Sequence, residues 1–359
     1  MPRAPLYNPR AMIIRIARIA SFLSVLVAAA AGVTDARAQG CVCQKQGSPV
    51  FGGLETYLKP GEWQVTFGYR GYESTEHFQG RNPFPELDPN GPINKQHAAT
   101  GELTYGLTER WNLSVAAPWY NNGFAVRRAG PASATPYFQD TPVTGMGDLN
   151  ARARYWLLST DNPERNVSVS GGLKFPTGTS NTSGTVGGRT VPADVSIQLG
   201  DEAWGVTTGV SAFRDFSRAS LYGTLNYLFT PRNTTGVPTF FGSLTNPNNS
   251  VQNSAADQFS SQVGTAYVVR RGWPVPSLTY RIEGVPIHDV FGKSDGFRRP
   301  GTMGFLEPGI NMQLRGNLVS FSVAIRQYVN IKDSPTSTRR EDATVQKYMF
   351  FAAYSRRLR

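Results

Sequence analysis

The stretch "RWNLSVAAPWY", residues 110–120, places apolar side chains at every second position. On an extended chain these apolar residues share one side: Trp111, Leu113, Val115, Ala117 and Trp119. The opposite side carries Asn112, Ser114 and Ala116. A period of two residues predicts a β-strand with two different faces. A tryptophan lies at each end of this apolar face, and the distance between the two indicates what the face contacts.

The same period of two recurs from Glu62 onward, which predicts an all-β chain of twelve strands. Each segment is close to the 9–11 residues that a tilted membrane strand needs. The segments span about residues 62–71, 97–107, 110–120, 148–157, 166–176, 202–213, 218–229, 257–269, 276–286, 303–314, 318–328 and 344–355. The region "VPADVSIQLG", residues 191–200, fits either the foot of the sixth strand or a loop.

Short and long connections alternate strictly between these strands. The short ones are "GLTER" at 106–110, "STDNPER" at 159–165, "RDFS" at 214–217, "RRGWP" at 270–274 and "RGN" at 315–317. The long ones cover about residues 72–96, 121–146, 177–193, 230–256, 287–301 and 330–343. Outer-membrane barrels have short periplasmic turns, longer external loops and an even strand count. The pattern therefore predicts a transmembrane antiparallel up-and-down β-barrel.

The two tryptophans fit the thickness of a membrane. Trp111 and Trp119 are eight residues apart, which is about 26 Å along a strand at ~3.3 Å per residue. A tilt of ~40° reduces this span to roughly 20 Å, close to the ~25 Å apolar band between the aromatic girdles of such barrels. We predict that Trp111 lies in the periplasmic girdle and Trp119 in the outer one. The periplasmic girdle would also contain Trp63, Tyr105 and Tyr155, and the outer one Trp204 and Phe229.

Because hydrocarbon cannot satisfy an open sheet edge, the last strand must pair with the first. The final segment "TVQKYMFFAAYSRRLR" can do so. The alternate residues of the strands would then face the lumen. The charged residues among them are the predicted selectivity residues Glu102, Asp148, Arg152, Arg154, Lys174, Arg281, Glu283 and Arg326. They could instead form a mutually paired lumen without selectivity.

The amino terminus predicts export. Basic residues precede an uncharged run over 19–34, and "ARA" at 36–38 has the form of a cleavage site. We predict a signal peptide over 1–38, a periplasmic segment or plug over 39–60 and the barrel over 61–359. A membrane anchor is the alternative, although an apolar run of about 15 residues is short for a spanning helix. Met12 would also begin a signal of ordinary length.

Composition narrows the partners. The net charge is +11, but five arginines and one aspartate lie in the predicted signal, so the remainder carries +7. Its basic residues form no stripe interleaved with aromatics, so we predict no nucleic-acid partner. Cys41 and Cys43 could form a strained or intermolecular disulfide or capture a metal, and we favour a tail without an essential role.

Enzyme motifs are missing from the sequence. It contains no Gly-x-Ser-x-Gly elbow, and "GTVGGRT" at 184–190 lacks the Gly-Lys-Ser/Thr of a phosphate loop. His77, His97 and His288 map near the outer rim, which leaves a hydrolase or metal site there as an alternative. No His-x-x-x-His spacing supports a metal. We predict no enzymatic activity, no cofactor and no metal.

Several stretches resemble the outer-membrane barrel family associated with the meta-cleavage pathway of phenol degradation. They are "YGLTERWNLSVAAPW" at 105–119, "GMGDLNARARYWLL" at 145–158, "VSVSGGLKFPTG" at 167–178 and "GFLEPGINMQLRGNLVSFSVAIRQYVN" at 304–330. The resemblance implies a channel or transporter-like barrel for small hydrophobic or aromatic compounds. Such barrels usually finish on an aromatic residue, whereas this chain ends "SRRLR". Phe350, Phe351 or Tyr354 could engage the assembly machinery instead.

These observations predict a channel in the bacterial outer membrane that passes small, apolar or aromatic solutes passively. Twelve strands lie between the eight that enclose only side chains and the sixteen that leave a clear aqueous channel. The lumen should therefore be narrow or obstructed. The predicted partners are outer-membrane lipid, a small-molecule solute and the assembly machinery. Two alternatives remain: a structural or outer-loop binding barrel without solute flux, and a soluble periplasmic all-β protein.

Overall fold

The protein is described by a computed structural model over residues 57–85, 91–128, 137–245, 248–314, 316–336 and 343–358. The predicted signal peptide, both cysteines and most of the predicted plug lie outside the described residues. Within the described part, no helix is both long enough and apolar enough to span a membrane.

Strands account for nearly all regular structure. In chain order the elements are β1 (Trp63–Gln79), β2 (Asn82–Pro83), β3 (Ile93–Gly106), β4 (Trp111–Arg128), β5 (Tyr137–Met146), β6 (Leu149–Trp156), β7 (Arg165–Phe175), β8 (Ser183–Val186), β9 (Arg189–Pro192), β10 (Gly205–Asp215), β11 (Ala219–Phe229), β12 (Thr234–Pro238), α1 (Phe240–Thr245), β13 (Gln252–Ser254), β14 (Gln258–Tyr267), β15 (Val275–Val285), β16 (Gly301–Leu314), β17 (Asn317–Ile331), β18 (Ala343–Gln346) and β19 (Tyr348–Leu358).

The main sheet closes into a barrel. Its order is β1, β3, β4, β6, β7, β10, β11, β14, β15, β16, β17 and β19, and every neighbouring pair is antiparallel. Strand β19 pairs with β1 from Trp63↔Leu358 to Gly71↔Phe350, which closes the ring. β5 and β18 continue the fourth and twelfth strands outward, paired with β4 and β1. The predicted fold class, a twelve-stranded antiparallel barrel, is confirmed.

The strands reach further outward than predicted. β4 continues to Arg128, and β5 starts at Tyr137 inside the long loop predicted over 121–146. The outer ends stay paired because their inward side chains, such as Tyr120 and Phe124, are buried against loop residues. In the ambiguous region 191–200, Val191 and Pro192 end β9 and the remaining residues form a loop, since the sixth barrel strand begins only at Gly205.

An apolar belt covers the outward face of the barrel. Trp63, Trp111, Trp119 and Trp204 are each more than 40% exposed. The rings of Trp63 and Tyr105 lie 4.6 Å apart, and those of Trp111 and Tyr155 lie 4.8 Å apart, on paired strands. Apolar side chains exposed between two aromatic girdles are the signature of a lipid-facing barrel surface. The protein is therefore a bacterial outer-membrane barrel.

Replacing Val115 by arginine should destabilise the barrel in the membrane. Val115 is 53% exposed, lies midway between Trp111 and Trp119, and pairs with Leu103 and Ala151. A cation at this depth costs about 2–4 kcal/mol, against ~0–1 kcal/mol near an interface. Unfolding in phospholipid vesicles measures this cost, with Leu107→Arg, in the adjacent periplasmic turn, as the matched control. Equal stability of the two variants would contradict the assignment of the belt.

Candidate functional site

The lumen encloses a cavity near the middle of the barrel, with a volume of about 110 Å³. Residues of ten of the twelve strands line it, so it spans the cross-section of the lumen. Its wall is mostly polar, with serine, threonine, asparagine and glutamine side chains. The charged residues that line it are Arg70, Arg152, Arg154, Arg281 and Glu307.

Ion pairs between strands hold several of these groups. Arg70 Nη2 donates to Glu283 Oε1 at 2.6 Å, and Arg281 Nε donates to Glu307 Oε2 at 2.8 Å. Glu283 is fully buried, and Arg281 and Glu307 are nearly so. Phe351 lies between the two pairs, with the Arg281 guanidinium 4.5 Å and the Arg70 guanidinium 5.8 Å from its ring centroid.

The eight predicted lumen residues fall into separate groups. Arg152, Arg154 and Arg281 line the cavity, and Glu283 reaches it through Arg70. Asp148 and Lys174 form their own buried pair, 3.0 Å apart, beside the root of an outer loop. Arg326 pairs with Glu76 further outward. Glu102 accepts a hydrogen bond from Thr104 at 3.4 Å and is half-buried.

A loop closes the lumen on the outer side of the cavity. Residues 176–204, here the inner loop, join β7 to β10 and contain the β8–β9 hairpin. Asn94 Nδ2 donates to Ser196 Oγ at 2.5 Å, and Gln96 Nε2 donates to the Ser196 carbonyl at 2.8 Å. Gln96 is the inward position next to Ala98, which lines the cavity. The inner loop therefore lies directly above the cavity.

A buried ion pair, here called the latch, fixes the inner loop just after its β8–β9 hairpin. The Arg299 guanidinium, in the connection between β15 and β16, donates from both terminal nitrogens to the two carboxylate oxygens of Asp194. Both side chains are at most 5% exposed. The Asp194 carboxylate also accepts from the backbone and hydroxyl of Ser196, at 3.0 and 2.6 Å. Asp194 and Arg299 are 105 residues apart in the sequence. Their ion pair therefore fixes the inner loop across the mouth of the barrel.

The root of the inner loop is also held by buried charge. The Lys174 ammonium, 1% exposed, donates to Asp148 and to Asp201. Asp148 Oδ1 in turn accepts from the Gly178 backbone at 2.9 Å. The two ends of the loop cross so closely that a Cβ on Gly200 would meet the Gly178 carbonyl at 2.3 Å. Glycine is required at this crossing.

Apolar packing and further ion pairs fix the rest of the outer end. Ile197 and Leu199 of the inner loop pack with Phe124 and Phe240 in one buried cluster. Elsewhere Arg298 donates to Asp289 at 2.5 Å, and the Asp257 carboxylate accepts from the backbone of Val290 at 2.9 Å and of Thr230. Burial raises the pKa of Asp257 above its usual 3.8. These contacts bind the outer loops to one another.

At the periplasmic end the lumen is narrowed by Tyr57. Its ring centroid lies 5.0 Å from Trp156 and 6.1 Å from Phe213, the inward positions next to Arg154 and Ser211 of the cavity wall. Asn166 Nδ2 donates to the Tyr57 hydroxyl at 3.0 Å. Burial is the main reason that the pKa of this hydroxyl is raised above its usual 10.0. The described end of the predicted plug, residues 57–60, therefore reaches the lumen wall.

Replacing Tyr57 by alanine should loosen this inner closure. Two aromatic contacts at about 0.5–1.5 kcal/mol each give an expected loss of about 1–3 kcal/mol in the docking of the segment. We expect a higher and noisier conductance in planar bilayers. Tyr57→Phe keeps the ring and is the matched control. A conductance of Tyr57→Ala equal to that of wild type would show that Tyr57 does not restrict the pore.

Several residues of the site escape sequence reasoning. Arg70 and Glu307 sit in predicted strands on the lumen face, so alternation with apolar neighbours could have identified both. Asp194, Asp201 and Arg299 lie in loops, where period-two reasoning does not apply.

The fold has counterparts among solved structures. No protein-family profile matches the chain. The match with the beta domain of the Bordetella autotransporter BrkA covers 82% of this chain and 98% of that domain, at 11% identity and a TM-score of 0.44. The match with the Ralstonia pickettii toluene transporter TbuX covers 86% of this chain and 91% of that transporter, at 8% identity and a TM-score of 0.41. Both TM-scores are too low to support an argument.

An outer membrane channel from Pseudomonas putida F1 is more similar. The match covers 87% of this chain and 100% of the Pseudomonas protein, at 13% sequence identity and a TM-score of 0.57. At this identity the likeness shows that the two chains share a barrel fold.

Proposed function

We propose that this protein is an outer-membrane channel that passes small aromatic or hydrophobic solutes passively through its lumen. The observation that carries the proposal is the cavity of about 110 Å³ at mid-barrel, placed on the only path between the two mouths that the described strands enclose. A cavity of ~150 Å³ accepts benzene, so a single small ring is of the right order of size.

Three further observations support this proposal. The quoted stretches resemble the barrel family of phenol degradation, which implies small aromatic solutes. The Pseudomonas putida protein with the same fold is described as an outer membrane channel. The cavity wall also contains Phe351 and Leu228, which offer apolar surface to a ring among the polar groups.

The closures at both ends set the mechanism. The inner loop lies above the cavity and Tyr57 below it, so a solute would pass by displacing one closure at a time. Passage through such a lumen needs no energy source, since the concentration gradient supplies the direction. We expect a small conductance with brief openings rather than the steady current of a wide aqueous pore.

Single-channel recording tests this function directly. The refolded chain lacking residues 1–38 is inserted in a planar bilayer and recorded with and without benzyl alcohol as a neutral aromatic solute. Discrete openings that the solute partly blocks support a channel with a binding site in its lumen. A silent bilayer, with insertion verified separately, would overturn the proposal and favour an outer-loop binding barrel.

A further inference from the structure

We propose that the mid-barrel cavity selects aromatic solutes that carry a carboxylate, in preference to neutral aromatic compounds of the same size. This inference rests on the proposed function and specifies its substrate class. It starts from a mismatch between the expected solute and the wall: a channel for purely apolar compounds needs no guanidinium groups in its mid-barrel cavity, yet four arginines line this cavity.

The charge of the cavity region is positive. Arg70, Arg152, Arg154 and Arg281 line the wall, together with one carboxylate, Glu307. Two more carboxylates adjoin it: Glu283, paired with Arg70 at 2.6 Å, and Glu102 on β3. Among the described residues, four cations against three anions leave one positive charge in a space surrounded by protein. In such a space an entering anion is attracted more strongly than it would be in bulk water.

The four arginines come from three strands of the barrel. Arg70 faces the buried Glu283 at 2.6 Å on a strand four places away around the barrel, and Arg281 faces Glu307 at 2.8 Å on the neighbouring strand. Arg152 and Arg154 both come from β6 and lie on the same inward face, two residues or about 7 Å apart. Guanidinium groups bind carboxylates through paired hydrogen bonds. This pair on β6 is therefore the expected carboxylate site.

The rest of the wall suits an aromatic ring. Strand β6 is fourth and β15 ninth of the twelve around the barrel, so Arg281 and the Phe351 beside it lie across the lumen from the β6 arginines. The Arg281 guanidinium lies 4.5 Å from the Phe351 ring centroid. A stacked guanidinium and ring offer a flat surface to a second ring. A benzoate-sized anion in this cavity would direct its carboxylate towards β6 and its ring towards Phe351.

The test compares three probes of similar size in planar bilayers at neutral pH: benzoate, benzyl alcohol and benzylamine. We expect benzoate to block the wild-type channel at concentrations at least about tenfold lower than benzyl alcohol, the ratio given by one charge-assisted hydrogen bond of ~1.4 kcal/mol. Benzylamine should be the weakest blocker, because its cation meets the excess positive charge.

The double variant Arg152→Gln/Arg154→Gln should raise the benzoate concentration needed for block at least about tenfold. The benzyl alcohol concentration needed for block should stay within about twofold of that for wild type. Arg152→Lys/Arg154→Lys keeps the charge and should restore part of the benzoate preference. Arg165→Gln/Arg214→Gln is the matched control, since it removes the same charge from exposed positions at the periplasmic end.

The outcomes separate the two proposals. A wild-type channel that benzyl alcohol blocks as strongly as benzoate would overturn the carboxylate preference and leave the channel function standing. A benzoate block that survives in the Arg152→Gln/Arg154→Gln variant would overturn the assignment of the site. If no probe affects wild-type channels, the proposed function and this inference both fail.

Discussion

Replacing Arg299 by glutamine is expected to open the outer end of the barrel. The substitution leaves the Asp194 carboxylate buried without its guanidinium partner, a change that costs about 3–5 kcal/mol when both groups are buried. Since every ~1.4 kcal/mol is a factor of ten in an equilibrium, the inner loop should leave the lumen in a much larger fraction of molecules. We expect the mean single-channel conductance to rise several-fold.

The latch can be separated from general damage by a double-mutant cycle. Arg299→Gln, Asp194→Asn and the double variant are compared by conductance and by proteolysis of the inner loop. The double variant should be less open than the sum of the single variants, because it leaves no unpaired charge. Arg189→Gln removes an exposed arginine from the same loop and should behave as wild type. Additive single effects would argue against a direct latch.

The same pair predicts how the closure depends on pH. Burial alone would raise the pKa of Asp194, but the charge of Arg299 and the hydrogen bonds from Arg299 and Ser196 outweigh it and lower the pKa below the usual 3.8. A carboxylate with a lowered folded-state pKa stabilises the closed loop above its ordinary pKa, and this stabilisation is lost as the pH falls through the folded value. The stabilisation should therefore be complete above the ordinary pKa of 3.8 and be lost only at lower pH, as Asp194 takes up a proton. Conductance recorded against pH, with Asp194→Asn for comparison, checks this.

The barrel itself follows from the sequence because its causes are local. A period of two in side-chain polarity fixes which residues of "RWNLSVAAPWY" face lipid, and the alternation of turn lengths fixes how the strands connect. The outward extensions of β4 and β5 were missed because the prediction took the membrane thickness as the length of a strand. Beyond the membrane, the length is set by packing against loops, which no local period encodes.

The site was predictable only in part, for the same physical reason. Charges on the lumen face of strands, such as Arg281 and Glu283, show in the alternation. The alternation does not show which charges pair with each other, because Arg70 and Glu283 are separated by 213 residues and meet only through barrel closure. The inner loop was harder still. Its buried residues Ile197 and Leu199 alternate like those of a strand, yet they face other loop residues and the mouth of the barrel.

Removing Arg70 should produce the largest loss of stability among substitutions in the cavity wall. Glu283 is fully buried, and within the described part of the chain its Oε2 has no hydrogen-bond partner, so Oε1 depends on Arg70 at 2.6 Å. Arg70→Met leaves that carboxylate charged and uncompensated, which costs about 3–5 kcal/mol. The Arg70 guanidinium also lies 5.6 Å from the Tyr72 ring centroid and 5.8 Å from that of Phe351.

The companion variant Arg70→Met/Glu283→Gln should recover most of this loss, because a neutral amide in place of the carboxylate removes the buried charge. Denaturant unfolding of the refolded barrel in vesicles measures both variants, with Arg110→Met in an exposed periplasmic turn as the matched control. The control should stay within about 0.5 kcal/mol of wild type. If Arg70→Met also stays within that range, Glu283 must be neutralised by another group. If the double variant instead recovers the lost stability, Arg70 and Glu283 have a structural role. The charge preference of the channel would then rest on the arginines of β6.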